Sequence, residues 1–413
     1  MTKKRRTLLF IISIIMFTLA APAVVFYSQG YRFDFQEKTI VQTGAFYFKV
    51  LPHNSEIFIN GKVVKETSGL TGSALIDNLL PKTHEVKIEK EGYYSWQKNL
   101  EVKEKQVTEA KNIVLFSKSQ EFELLGQNVS NFWPTEEGII TLEIKDKTWE
   151  LKLIEPQKNI KSYLVGEKDI YSRGADFISI ELSKNPKEVY VNVGMKEQEK
   201  RFILSFDKFP PTITEDESTP IPKNILDSYD NYYLDNLGYI FEKNSLLKVN
   251  ENPFPIKKET KYELNVFEDY FFLKENKSLY LFDKDTETFK KVFDNVNEMK
   301  VSPNLESLAI VDGSELWILA LKENMGQPKK EAKEKIFLTR FSEKVDDLFW
   351  LNNNYLIFTF KEKIKIAEID NRDKVNIVDL SESPSSRILW DQASKNLYIL
   401  TENNLYCLKN LLP

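Results

Sequence analysis

Apolar and polar residues fall into three regimes along the 413 residues of the chain. The first is a single run, Thr7–Phe26, in which Ser13 and Thr18 are the only polar side chains after Thr7. A helix of that length spans about 30 Å, the thickness of a bilayer's hydrocarbon core. The second, residues 40–117, alternates apolar and polar with period two, as in Ala45–Leu51, Glu56–Ile59, Glu85–Glu89 and Leu100–Lys103. That period belongs to strands with one buried and one wet face. The third, residues 120–413, repeats a longer unit of an apolar-aromatic start, a turn of Pro, Asn, Asp or Ser, then further strands. Starts at Val129, Phe177, Ser228, Phe267, Val301, Leu348 and Leu389 lie 34 to 51 residues apart. A period near forty matches four-stranded propeller blades. The expected fold is therefore mainly β: an N-terminal transmembrane helix, a small β-sandwich and a C-terminal propeller of six or seven blades.

Lys3, Lys4, Arg5 and Arg6 precede the apolar run. The positive-inside rule then keeps residues 1–6 in the cytoplasm, sends 7–27 through the membrane and places the rest outside. Ala21-Pro22-Ala23 offers a small-x-small cleavage site for the competing reading, a secretory signal peptide. The run is longer than a signal core and continues through Val24, Val25 and Phe26 to Tyr27, Tyr31 and Phe33, residues suited to the membrane–water boundary. Length therefore favours a retained anchor.

The net charge is −5, and setting aside the four N-terminal cations leaves −9 on the remainder. That balance argues against nucleic-acid binding. The single cysteine, Cys407, excludes intramolecular disulfides, and its apolar neighbours in Leu405-Tyr406-Cys407-Leu408 mark it as a small buried side chain. The two histidines, His53 and His84, read as exposed residues flanking turns, with no cysteine or acidic cluster at metal-ligand spacing beside them.

Asn60-Gly61 between Glu56–Ile59 and Lys62–Lys65 is a strong hairpin signal. The stretch Gly44–Val50, Pro52, then Ile57–Lys62, followed by Thr71-Gly72-Ser73, Leu79-Leu80-Pro81, His84–Lys90 and Gly92-Tyr93, resembles a PEGA domain. Pro52-His53-Asn54-Ser55 stands where that family has its eponymous tetrapeptide. The resemblance implies a surface-exposed β-sandwich without catalytic residues. In the third regime Ser302-Pro303-Asn304 resembles the Ser-Pro-Asp-Gly turn of TolB-like and Trp-Asp-type propeller repeats, and Trp390-Asp391 supplies that dipeptide once.

Two segments break the repeat. Phe209–Pro222, with Pro210, Pro211, Pro220, Pro222 and the acidic Glu215-Asp216-Glu217, reads as an extended loop, and Asn324–Lys335 as a solvated loop or short surface helix. Asp283-Lys284-Asp285-Thr286-Glu287 carries alternating oxygen ligands but lacks the glycine and distal glutamate of an EF-hand loop, so a hairpin tip is expected. Asp346-Asp347 and Asp370–Asp373 read as turns. No nucleophile elbow, phosphate loop or paired-cysteine spacing is present. No catalytic, cofactor or metal residue is singled out. The expected function is non-enzymatic: a single-pass envelope protein presenting its propeller to a protein or glycan partner. Two rivals are a carboxylate-dependent hydrolase or lyase, whose two acids would carry no local signature, and a purely structural surface spacer.

Overall fold

The computed structural model describes residues 3–146, 148–156, 160–170, 175–183, 185–195, 198–216, 224–243, 245, 247–383 and 386–412. Helix α1 (Lys3–Ser28) contains the apolar run, with Pro22 inside it. Its segment Arg5–Ser28 is long and apolar enough to cross a membrane, and none of its most apolar stretch is buried in the protein. A two-stranded hairpin follows, β1 (Tyr31–Asp34) with β2 (Thr39–Gln42).

Seven strands then form a sandwich: β3 (Gly44–Leu51), β4 (Glu56–Ile59), β5 (Lys62–Glu66), β6 (Ser73–Leu79), β7 (Thr83–Glu89), β8 (Trp96–Glu101) and β9 (Val107–Val114). One sheet runs β6-β3-β9 and the other β5-β4-β7-β8. The β4–β5 turn takes the left-handed backbone at Asn60 (φ 50°) and Gly61 (φ 76°), the conformation that Asn-Gly accepts cheaply. Alternation sends Phe46, Phe48, Val50, Ile57, Val86, Ile88 and Leu100 inward to one core. The β3–β9 pair is parallel, so the sandwich is not wholly antiparallel as its alternating strands suggested.

His84 corrects the sequence reading. It is 4% exposed and sits on β7 against Phe46. The Glu85 N–H donates to Asn60 Oδ1, which turns the Asn60 amide nitrogen toward His84 Nδ1 at 3.0 Å. Nε2 then donates to the Leu80 carbonyl at 2.9 Å. His53 meets the Gly69 carbonyl through Nδ1 in a loop, as expected.

From residue 122 onward the chain builds seven antiparallel sheets. Their first strands are Val129–Pro134, Asp176–Leu182, Ile225–Tyr229, Tyr262–Phe267, Val296–Val301, Asp346–Asn352 and Arg387–Asp391. Each of the seven predicted starts lies on one of these. The third sheet has three described strands; the others have four. The seventh is completed from the opposite end of the domain: β10 (Phe122–Gln127) pairs with Asn404–Leu408, the last strand of the chain. Buried clusters join first to second sheet, third to fourth, fourth to fifth, fifth to sixth, sixth to seventh, and seventh back to first. Sheets one and four to seven thus hide both faces against their neighbours, the packing of a β-propeller. Among the described residues no such cluster joins the second sheet to the third.

Two loop readings change, and for 324–335 the solvated loop holds over the helix. Thr212–Glu215, inside the expected loop, is the outermost strand of the second sheet; Glu217, Pro220 and Pro222 lie outside the described residues. Asn324–Lys335 contains no helix; Asn324 and Lys330 bridge it, and Lys330 is buried. Asp346 and Asp347 open a strand that pairs Asp346 with Thr359, and the Asp347 carboxylate accepts the Ile388 N–H of the next sheet at 2.9 Å.

Candidate binding surfaces

In each four-stranded sheet the links between first and second strands, and between third and fourth, emerge at one end of the propeller. The sandwich sits on that end, over the fifth and sixth sheets. Asn112 meets Asn354, the Val114 N–H donates to Tyr355 Oη at 2.9 Å, and Gln327 of the fifth sheet's loop bonds Val107 and Glu109. The opposite end of the propeller carries none of these contacts.

At the centre of the junction a charge pair is fully enclosed. Lys98 on β8 shares its inward parity with Trp96 and Leu100, and its side chain has no exposure. Its ammonium lies 2.7 Å from Glu368 Oε1 and donates to the carbonyls of Asp370, Arg372 and Lys374 at 2.7, 2.9 and 2.7 Å. Glu368 also accepts from Trp96 Nε1 at 2.8 Å and from the backbone and side chain of Asn376 at 2.9 and 2.7 Å. Burial pushes the Glu368 carboxyl above its ordinary range, against the pull of Lys98 and these donors. Beside it, Asp373 accepts from the Asn99 backbone and amide, and Arg372 reaches the Glu109 carbonyl. Asp370–Asp373 is the expected turn, with a docking role that its sequence does not advertise. A lysine in phase with two apolar neighbours on β8 was the available signal.

Next to the sandwich, at the same end, the loops of the first, second and seventh sheets border a cleft of about 970 Å³. Its lining includes Glu136, Glu137, Glu155, Glu188, Asp391 and Lys409, with Asn185, Asn396, Asn410 and Tyr398 among them. A second space of about 430 Å³ lies between Leu51 and Val114 of the sandwich and loops of the sixth and seventh sheets. Ser394, Asn396 and Asn410 border both, so the two spaces adjoin as a groove beside the sandwich. Asp391 is committed locally, accepting from the Ala393 and Ser394 N–H groups and the Ser394 hydroxyl. Such a lining mixes acceptors and amides with apolar surface from Pro134, Pro156, Leu182 and Pro186.

The carboxyls held above their ordinary range by burial serve as staples. Glu298 Oε2 accepts the Leu348 N–H at 3.1 Å, joining the fifth sheet to the sixth, and Asp347 joins the sixth to the seventh. Asp227 does the same between third and fourth, accepting the Leu264 N–H at 2.6 Å. Asp283 closes the expected hairpin tip; bonding to Lys290 draws its carboxyl down to about 2, and Lys333 adds a further cation. Among the described residues no group of three or more His, Cys, Asp or Glu is arranged to hold a metal ion. Cys407 is buried, and desolvation pushes its thiol up to about 11.

Residues 49–114 match the family model described as "PEGA domain". No curated protein matches the chain. Among solved structures, an extracellular domain assigned to the hybrid two-component system BT4673 of B. thetaiotaomicron is similar, with 11% identity and a TM-score of 0.44 over 70% of this chain and 39% of that one. PorZ, an essential bacterial surface component of the type-IX secretion system of Porphyromonas gingivalis, shows 14% identity and a TM-score of 0.40 over 69% of this chain and 37% of its own. YCF48 of Cyanidioschyzon merolae shows 7% identity and a TM-score of 0.43, covering 70% of this chain and 98% of that one. The chain spans well under half the length of the first two. The segment that matches the PEGA domain model, residues 49–114, thus lies between an N-terminal apolar helix and a C-terminal β-propeller.

Proposed function

We propose that this is a non-enzymatic, single-pass envelope protein, with its N-terminus in the cytoplasm and its propeller outside, where the groove beside the PEGA domain receives an envelope protein or a glycan. The observation that carries this reading is the order of parts. An apolar rod leads into a sandwich whose strand β3 runs from the helix side at Gly44 to the propeller groove at Leu51. Eight strand residues span about 26 Å, enough to lift the propeller clear of lipid headgroups. The groove's mixed lining, with carboxylates and amides beside prolines and Leu182, suits a partner with both polar and apolar surface, such as a protein segment or a glycan.

The test is capture from intact envelopes with a photocrosslinking residue at Ala393, an exposed position in the groove. A discrete adduct that Glu137→Lys and Glu188→Lys together abolish supports the reading. A pattern no different from a crosslinker at Val63, on the edge strand β5 at the opposite end of its sheet from β8, sinks it. The same acidic lining favours a second reading, a carboxylate-dependent hydrolase or lyase. Shortening of an envelope polysaccharide by purified protein, lost on single Glu-to-Gln changes at 136, 137, 155 or 188, would replace the binding role with that one.

A further inference from the structure

We infer that the β1–β2 hairpin is a second membrane contact, lying flat in the headgroup–acyl boundary and setting the angle at which the PEGA domain stands on the bilayer. This rests on α1 spanning the membrane. The hairpin begins three residues after the helix ends, and its base is fastened there. Thr43 donates to the Gly30 carbonyl at 2.9 Å, Gln42 Nε2 to the Gln29 carbonyl at 2.9 Å, and the Arg32 guanidinium stacks over Tyr27 while bonding its carbonyl.

Strand parity then divides its two faces. Arg32 bonds Asn78 Oδ1 at 2.6 Å, and buried Asp34 turns inward to cap the tip through the Gln36 and Glu37 N–H groups. Lys82 reaches Gln36, so this side is held against the base of the sandwich. The alternate residues point the other way. Phe33 is 47% exposed, its cross-strand partner Ile40 70%, and Phe35, edge-on to Phe33 at 5.1 Å, 84%. Tyr31, of the same parity, packs edge-on against Phe26 of the helix at 5.5 Å. Two aromatic pairs, Phe26–Tyr31 at the end of α1 and Phe33–Phe35 toward the tip, therefore line one side of a four-residue arm about 13 Å long.

An apolar strip continuous with a membrane-spanning helix, and facing away from the domain above it, fits one occupant best. The bilayer's interfacial zone accepts aromatic rings and aliphatic side chains together. A second copy of the chain or another protein would need its own surface at that same depth.

Nitroxide depth measurements on the full chain in phosphatidylcholine nanodiscs decide it, with single labels at Phe35→Cys, Val63→Cys and Leu19→Cys; Cys407 is buried. The oxygen-to-nickel-chelate accessibility ratio at 35 is expected to exceed that at 63 severalfold, approaching the value at 19. A ratio at 35 equal to that at 63, with 19 still in lipid, overturns the hairpin contact and leaves the anchor standing. A water-exposed label at 19 overturns the anchor reading itself. Spin–spin broadening at 35 that vanishes on dilution with unlabelled protein assigns the strip to a second copy and also overturns the proposal.

Discussion

Replacing Lys98 with Met removes the cation at the centre of the junction and leaves its surroundings in place. Glu368 would keep its bonds to Trp96 and Asn376 but lose the Lys98 ion pair, while three loop carbonyls would lose the ammonium donor. Breaking a buried pair on one side costs about 3–5 kcal/mol, because an uncompensated charge stays behind. Each abandoned carbonyl would add about 1 kcal/mol at the low end of the range, less wherever water enters. Removing both partners is far cheaper, so Lys98→Met with Glu368→Gln should recover at least half of the loss. The sign of the pH effect is fixed by Glu368. Its native carboxyl already titrates above its unfolded value, so its stability contribution is fullest in acid and falls as pH rises through the interval between the two. Without Lys98 that interval extends further upward. Urea titration of the detergent-solubilised chain, followed by fluorescence of Trp96 among the other tryptophans and by proteolysis between residues 115 and 121, reads the result. The single variant should lose several kcal/mol at pH 8 and regain much of it at pH 5, and the double variant should show little of that dependence. A loss under about 1 kcal/mol at pH 8, or a double variant worse than the single, would refute the reasoning.

At Asp347, the Asn change keeps an acceptor for the Ile388 N–H and should cost little, whereas Ala strands that amide and should cost about 1–3 kcal/mol in the same titration. Because the Asp347 carboxyl is raised by burial, the wild type should gain stability as pH falls through that interval, and the Asn variant should lose this gain. Cys407, with its thiol near 11, should resist an aromatic disulfide reagent at pH 8 in the folded protein and react fully in denaturant. Gly61 has no neighbour within 4 Å of an added side chain but sits at φ 76°, so Gly61→Val should destabilise the PEGA domain by about 1–2 kcal/mol through backbone strain alone. Differential scanning calorimetry would measure it.

What the sequence revealed and what it hid divide along contact distance. The seven starts from Val129 to Leu389 were visible because each first strand is a local apolar run that its own turn residues punctuate. Asn60-Gly61 declared its hairpin for the same reason. The pairing of Phe122–Gln127 with Asn404–Leu408 joins residues some 280 apart, and nothing in either strand names the other. Lys98, Glu368 and the Asp347 staple were hidden likewise: a charged residue on a strand looks solvated until its partner's loop is in place. His84 misled through its neighbours, since Lys82, Thr83 and Glu85 look like a wet turn although the ring faces the core.

The central claim is that one N-terminal helix holds the chain in the membrane with the PEGA domain and propeller outside it. The most direct test is labelling of an Ala393→Cys variant in intact spheroplasts with a membrane-impermeant maleimide, followed by an alkaline carbonate wash. The groove cysteine should be labelled without lysis, and the full-length protein should stay with the membrane pellet. Labelling that requires lysis, or release of the protein into the wash, would contradict it.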